Sequence, residues 1–176
     1  MNKEPKKIWT IGHSTRSLEE FISLLQSNNI KNVADVRHYP GSKRYPQFNK
    51  TELNEVLIKS NIHYVHIVEL GGRRKATIDS KNTAWRHPAF RGYADYMETT
   101  DFKDGIGMLE ELGLKSPTAF MCSEAVWWSC HRSMVADYLK VKGWKVLHIM
   151  GLNNAVEHPF TSPAKVIDGK LNYHSA

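Results

Sequence analysis

Cysteine is scarce in this chain of 176 residues: there are two, Cys122 and Cys130, inside one short segment. So sparse a set excludes a disulfide-stapled scaffold. It also lacks the closely paired cysteines by which structural zinc sites announce themselves. Both thiols are expected to be free, and neither a metal nor a cofactor is expected. Long apolar runs are absent too. None approaches the roughly 18–20 residues that span a bilayer, and the opening MNKEPKKIWT has charges where a secretory leader has its apolar stretch. The expectation is a cytoplasmic protein with no membrane contact. Internal repeats, flexible linkers and low-complexity tracts are missing as well, so residues 1–176 read as a single α/β domain.

Acidic residues are outnumbered, 18 against 24 Lys and Arg, for a formal charge of +6. That excess favours polyanionic partners, and its location matters more than its size. Residues 37–50 (RHYPGSKRYPQFNK) interleave Arg37, Lys43, Arg44 and Lys50 with Tyr39, Tyr45 and Phe48. A second basic stretch carries Arg73, Arg74 and Lys75. Cations meet phosphates and aromatic faces stack on bases. A merely solvated loop would explain the charge and leave the aromatics unexplained.

What fills the chain is an alternation of β-prone and helix-spaced segments. Residues 7–14 (KIWTIGHS) read as a strand ending in a glycine. Ser17 and Glu20 predict a capping box ahead of Leu18, Phe21, Ile22, Leu24 and Leu25 at helical spacing. Residues 32–37 predict a second strand, and Asn49 with Glu52 predict the cap of a second helix. A third strand is expected over 63–72 and helices around 92–98 and 102–112. A fourth strand follows at 118–122, then a helix from about 131 to 142 and a fifth strand at 145–150. Asp168-Gly169, between two short β-prone runs, signals a hairpin. The pattern predicts an α/β fold: a parallel-type sheet of about five strands, flanking helices and a C-terminal hairpin.

In such sheets ligands bind beyond the carboxyl ends of the strands. Those ends carry Gly12-His13-Ser14, Asp35-Val36-Arg37, Glu69 to Arg73 and Cys122-Ser123-Glu124, with His131-Arg132 opening the helix after the fourth strand. His148, inside an apolar strand, is expected to be a core residue. Five segments thus bring ionisable groups to one edge. The segment MCSEAVWWSCHRS is the densest. Cys130, at a helix start beside His131 and Arg132, has the surroundings that favour a thiolate. The same helix start with Arg132 could instead cradle a phosphate. Asp35, Glu124 and His131 could divide acid, base and charge-stabilising roles. Trp127 and Trp128 offer stacking faces, and one of the two is expected to pack beneath the loop.

The pieces IWTIGHSTRSLEEF, ADVRHYPGSKRYPQFN, LGGRR, FRGYADYM, MCSEAVWWSCHRS and HPFTSPAKV, in that order, resemble the uncharacterised family catalogued as domain of unknown function 488. Trp127 stands where the family pattern has proline. The resemblance implies a compact α/β domain whose polar residues gather around the Gly-His-Ser, Asp-Val-Arg and Cys-x-Glu…Cys-His-Arg elements, and it implies no particular reaction.

The expectation that follows is an enzyme acting on nucleic acid or nucleotides by hydrolysis of an N-glycosidic or phosphoester bond. Its catalytic groups would be Asp35, Glu124, His131 and Cys130. Phosphate would meet His13, Ser14, Arg37, Lys43, Arg44, Arg73, Arg74 and Arg132, and Trp127 or Trp128 would take a base. Two alternatives remain open: a cysteine-dependent enzyme or sulfur carrier using Cys130 or Cys122, and a nucleic-acid-binding module without catalysis.

Overall fold

The computed structural model describes residues 4–175. Its main sheet has six strands in the order β3-β2-β4-β1-β5-β6. These are β1 (Lys7–Gly12), β2 (Asn32–Asp35), β3 (His63–His66), β4 (Thr118–Cys122), β5 (Lys145–Gly151) and β6 (Asn154–Glu157). The first five run parallel to one another, and β6 runs antiparallel to β5. A separate hairpin pairs β7 (Lys165–Ile167) with β8 (Lys170–Asn172). Its turn residues Asp168 and Gly169 both have positive φ, at 52° and 74°, as a two-residue hairpin turn of this hand requires.

Five helices cover the sheet: α1 (Leu18–Ser27), α2 (Lys50–Lys59), α3 (Pro88–Tyr96), α4 (Thr100–Lys115) and α5 (Arg132–Val141). The two-residue period of the strands sorts the core into two layers. Along β4, Ala119 and Met121 face Phe21, Leu24, Leu53 and Leu57 of α1 and α2. Phe120 and Cys122 face Tyr93, Phe102, Ile106, Met134 and Leu139 of α3, α4 and α5. Among the described residues no helix is long and apolar enough to cross a membrane.

Four details differ from expectation. The third strand stops at His66 and the chain enters a 3₁₀ turn over Val68–Leu70. As an edge strand β3 has only β2 to pair with, and β2 ends at Asp35. The β6 strand was not foreseen. Its four residues are all exposed, so no buried period marks them. At α1, Ser17 accepts from the Glu20 N–H as a cap should, but the Glu20 carboxylate pairs with Arg16 at 2.9 Å instead of reaching back. At α2, Asn49 occupies the cap position while its Oδ1 accepts from the Ser42 N–H at 2.6 Å, tying down the preceding loop.

The strand order also fixes where a site can form. From β1 and β2 the chain crosses by α1 and α2 over one face, and from β4 it crosses by α5 over the other. The loops leaving adjacent β1 and β4 therefore diverge, which is the topological switch point at which open α/β sheets open a crevice.

Candidate active site

A cavity of ≈ 1040 Å³ lies at that edge, walled by the loops after β1, β2 and β4, the Gly72-Arg73 turn and the start of α5. It is large enough for a nucleotide-sized ligand. Its floor depends on Gly12. The backbone hydrogen bonds from His13 N to Cys122 O (3.0 Å) and Ser14 N to Ser123 O (2.9 Å) draw the two loops together. A Cβ on Gly12 would sit 1.7 Å from the Glu124 carbonyl oxygen, so no side chain fits. Among the described residues six non-glycine residues have positive φ, and four of them are Asn or Asp, which tolerate it. The other two, Ser14 (47°) and Arg73 (63°), both line the cavity. Strained backbone of this kind concentrates at functional sites.

Asp35 does not face the cavity. It is fully buried, and its carboxylate accepts from the Arg37 N–H (3.1 Å), Arg37 Nε (2.9 Å) and Nη2 (2.8 Å), and Tyr64 Oη (2.5 Å). Every acceptor site is taken, so Asp35 orients Arg37 and is not placed for acid–base work on a substrate. Arg37 Nη2 also donates to Phe48 O at 2.8 Å. Only Nη1 is left to face the cavity, 3.4 Å from His13 Nε2. His13 lies flat on Phe48, ring centroids 4.4 Å apart, and its Nδ1 donates to the Ser14 carbonyl at 2.9 Å. Burial, and after it the charge of Arg37, holds His13 below the usual histidine range.

The helix start that could have cradled a substrate phosphate is already occupied by Cys130. The Arg132 N–H points at Cys130 Sγ (3.5 Å), the Ser133 N–H at Cys130 O (3.0 Å), and the Met134 N–H at His131 O (2.9 Å). Burial alone would raise the Cys130 thiol. A hydrogen bond from Cys122, the Arg132 guanidinium and the Arg132 N–H outweigh it and lower the pKa below the ordinary thiol value. Burial pushes Cys122 well above that value. His131 donates from Nε2 to Val36 O at 2.9 Å, which leaves its Nδ1 lone pair 3.4 Å from Cys130 Sγ. Burial keeps this imidazole neutral by lowering its pKa.

Arg132 is 1% exposed, and its Nε and Nη1 have no hydrogen-bond partner among the described residues. No carboxylate pairs with it among the described residues. It lies under Gly12, off the cavity wall. Its charge helps lower the Cys130 thiol pKa, a different role from the phosphate contact expected of it.

The other expected residues divide. Ser14, Arg44, Arg73, Glu124 and Trp128 line the cavity with His13, Arg37, Cys130 and His131. Lys43 is exposed and off the wall. Arg74 lies 3.7 Å over the Tyr96 ring and donates to Gly71 O, a packing role. Trp127 is the tryptophan that packs inward. It stacks on His148 within 4° of parallel, centroids 4.7 Å apart, while Trp128 is 57% exposed. His148 is buried, as expected of a core residue. Two wall residues escaped the sequence reading. His38 follows Arg37 and has a buried Nδ1 without a partner, and Tyr93 supports the His131 ring at 4.9 Å. His38 could have been found by its place beside Arg37 at a strand end.

Over residues 17–139 the chain matches the family described as Domain of unknown function DUF488. It belongs to that family. The DUF488 segment runs from the cap of α1 to Leu139 in α5, and so holds every cavity residue named above except His13 and Ser14. No curated protein and no solved structure matches the chain.

Proposed function

We propose that this DUF488 chain is a cysteine-dependent enzyme acting on a phosphate-bearing substrate, with nucleotides or nucleic-acid strands as its substrate class. One observation carries the reading: Cys130 Sγ lines the cavity at the N-terminus of α5, with the Arg132 backbone N–H pointing at it at 3.5 Å and the His131 Nδ1 lone pair 3.4 Å away. Such surroundings activate a thiol for covalent catalysis. Cys130 attacks the electrophilic centre of the substrate. His131 Nδ1 takes the thiol proton and returns it to the leaving group. Arg37 Nη1, Arg44 and Arg73 meet the phosphate, and Trp128 offers a base its exposed face.

Alkylation by iodoacetamide tests this, followed residue by residue by mass spectrometry. Cys130 is expected to react with a pH midpoint below the ~8.5 of a free cysteine, and mononucleotides or short oligonucleotides are expected to slow it. A Cys130 no faster than free cysteine sinks the proposal. A carboxylate-based hydrolysis of an N-glycosidic bond is a second reading. It is favoured by Glu124, which is exposed on the wall and forms no ion pair among the described residues. Retention of glycosidase activity by Cys130→Ser and its loss in Glu124→Gln would select it.

A further inference from the structure

Among the described residues only three Phe, Tyr or Trp side chains are exposed: Tyr39, Trp128 and Phe160. Two of the three, Tyr39 (65%) and Trp128 (57%), line the cavity. Burying an aromatic ring is favourable, so leaving two of them out at one site forgoes stability there. Both rings are also braced. Trp128 stands edge-on to Trp127, centroids 5.4 Å apart, and Trp127 is itself stacked on buried His148. Tyr39 stands edge-on to His38 at 4.4 Å, with the Arg73 guanidinium 5.2 Å from its ring centroid. The loop carrying Tyr39 is stitched down as well. The Gly41 N–H donates to Tyr39 O (2.9 Å), the Lys50 N–H to Pro40 O (2.9 Å) and the Ser42 N–H to Asn49 Oδ1 (2.6 Å). A ring fixed before binding loses little entropy when a ligand stacks on it. Arg44 and Arg73 share the wall with the two rings. At ≈ 1040 Å³ the cavity stands at the top of the ~300–1,000 Å³ range of single-ligand pockets.

We propose that the cavity takes a single-stranded nucleic-acid segment of at least two nucleotides, one base on Trp128 and one on Tyr39, with phosphate held by the wall arginines. The proposal rests on the reading of the cavity as a site for a phosphate-bearing substrate. It narrows that substrate to a strand and gives Tyr39 a part in choosing it. Aromatic side chains stack on any base whose face is free, and successive bases of a single strand can each take one. In a duplex the bases stack on one another, so their faces are closed to a protein ring. Neither ring makes or breaks a bond. Together they set the length and strandedness of what is held beside Cys130.

Isothermal titration calorimetry on the full chain tests this with three probes: a nucleoside 3′,5′-bisphosphate, a 5′-phosphorylated dinucleotide, and the same dinucleotide with its second sugar abasic. The set separates a second base from a second phosphate. The dinucleotide is expected to bind about tenfold tighter than either of the others, the scale of one stacked base. Tyr39→Ala and Trp128→Ala should each erase that gain. Both replace exposed side chains, so melting temperatures should hold, and the wild-type series alone decides the main point. Ribo- and deoxyribo-probes run side by side, and the tighter series names the polymer. Equal affinity for the three probes overturns the proposal. So does a gain that survives in Tyr39→Ala, or a short blunt duplex that binds as tightly as either of its strands. In each of those cases a bound bisphosphate leaves the reading of the site intact, whereas a protein that binds none of the probes loses its nucleotide substrate class as well.

Discussion

Asp35 and Arg37 form a buried two-point ion pair, Nε to Oδ1 at 2.9 Å and Nη2 to Oδ2 at 2.8 Å, at the very end of a central strand. Tyr64 and the Arg37 backbone N–H occupy the remaining acceptor positions. The pair converts a flexible side chain into a fixed corner with one nitrogen toward the cavity. Burial pushes the Tyr64 hydroxyl up, and the neighbouring carboxylate adds to it, so the phenol remains a donor at every physiological pH.

Asp35→Asn is therefore expected to be costly. It leaves the Arg37 charge buried without its counterion, a defect worth about 3–5 kcal/mol. Urea unfolding should show the loss as a lowered midpoint. A variant as stable as the wild type would mean that the pair contributes nothing net and that Arg37 finds water instead.

Arg132→Met should behave in the opposite way. Replacing buried ionic groups by apolar side chains of similar volume is often neutral or stabilising by about 1–4 kcal/mol, and no carboxylate partner of Arg132 among the described residues would be left behind. Because the guanidinium favours the Cys130 thiolate, its removal raises that pKa, and the pH midpoint of Cys130 alkylation should move upward. A midpoint that stays put while stability falls would give Arg132 a packing role alone.

Acid should unfold the protein through its buried imidazoles. His148 accepts from Thr10 Oγ1 at 2.6 Å and donates to His158, which donates to Asp137, and all four residues are fully buried. Burial and then the neighbouring His158 lower the His148 pKa to about 2. The folded state thus binds this proton far later than the unfolded chain, whose histidine titrates near ~6.5. The stability is fully present above about pH 6.5 and drains away as the pH falls toward 2, at up to ~1.4 kcal/mol per unit. Between pH 6.5 and 5 this group alone should cost about 2 kcal/mol. Denaturant titrations across that range should show a shallower slope in His148→Gln, whatever its starting stability. An unchanged slope would remove His148 as the source.

The two adjacent tryptophans should separate cleanly. Trp127→Ala empties a half-buried site packed against His148 and His158, and should cost somewhat less than the about 3–5 kcal/mol of a fully buried aromatic. Trp128→Ala should change stability by no more than about 0.5 kcal/mol, yet weaken binding of a short single-stranded oligonucleotide by ~1–3 kcal/mol if a base stacks there. Fluorescence anisotropy measures the binding and thermal melting the stability. Equal effects on both quantities would refute the division.

These residues also show what could be read without coordinates. The β1, β2, β4 and β5 strands and the α5 helix were legible because apolar spacing reports directly on burial, and Asp168-Gly169 because few dipeptides accept two positive φ angles. The cavity wall was largely legible too. His13, Ser14, Arg37, Arg73, Glu124, Cys130 and His131 all lie where a strand-end rule puts them. Which way a strand-end side chain points was not. Asp35 and Arg37 are two residues apart, and their mutual pairing turned one inward and left the other at the wall. Arg132 turned inward because the first residue of α5 packs beneath Gly12 and the Glu124 carbonyl, backbone positions 120 and 8 residues away in sequence. Such long-range packing leaves no local mark.

The sheet order has a consequence for synthesis. β1 emerges first, but both its neighbours come late: Trp9 pairs with Ala119 on one side and with Leu147 on the other. The central strand has two unsatisfied edges until Ala119 has been made and one until Leu147 has, a state that invites pairing with other chains. Contacts so distant in sequence make folding slow. The sulfur site cannot exist on a nascent chain that has not yet released α5. A truncation before that point should yield an aggregating polypeptide, with no partial activity to recover.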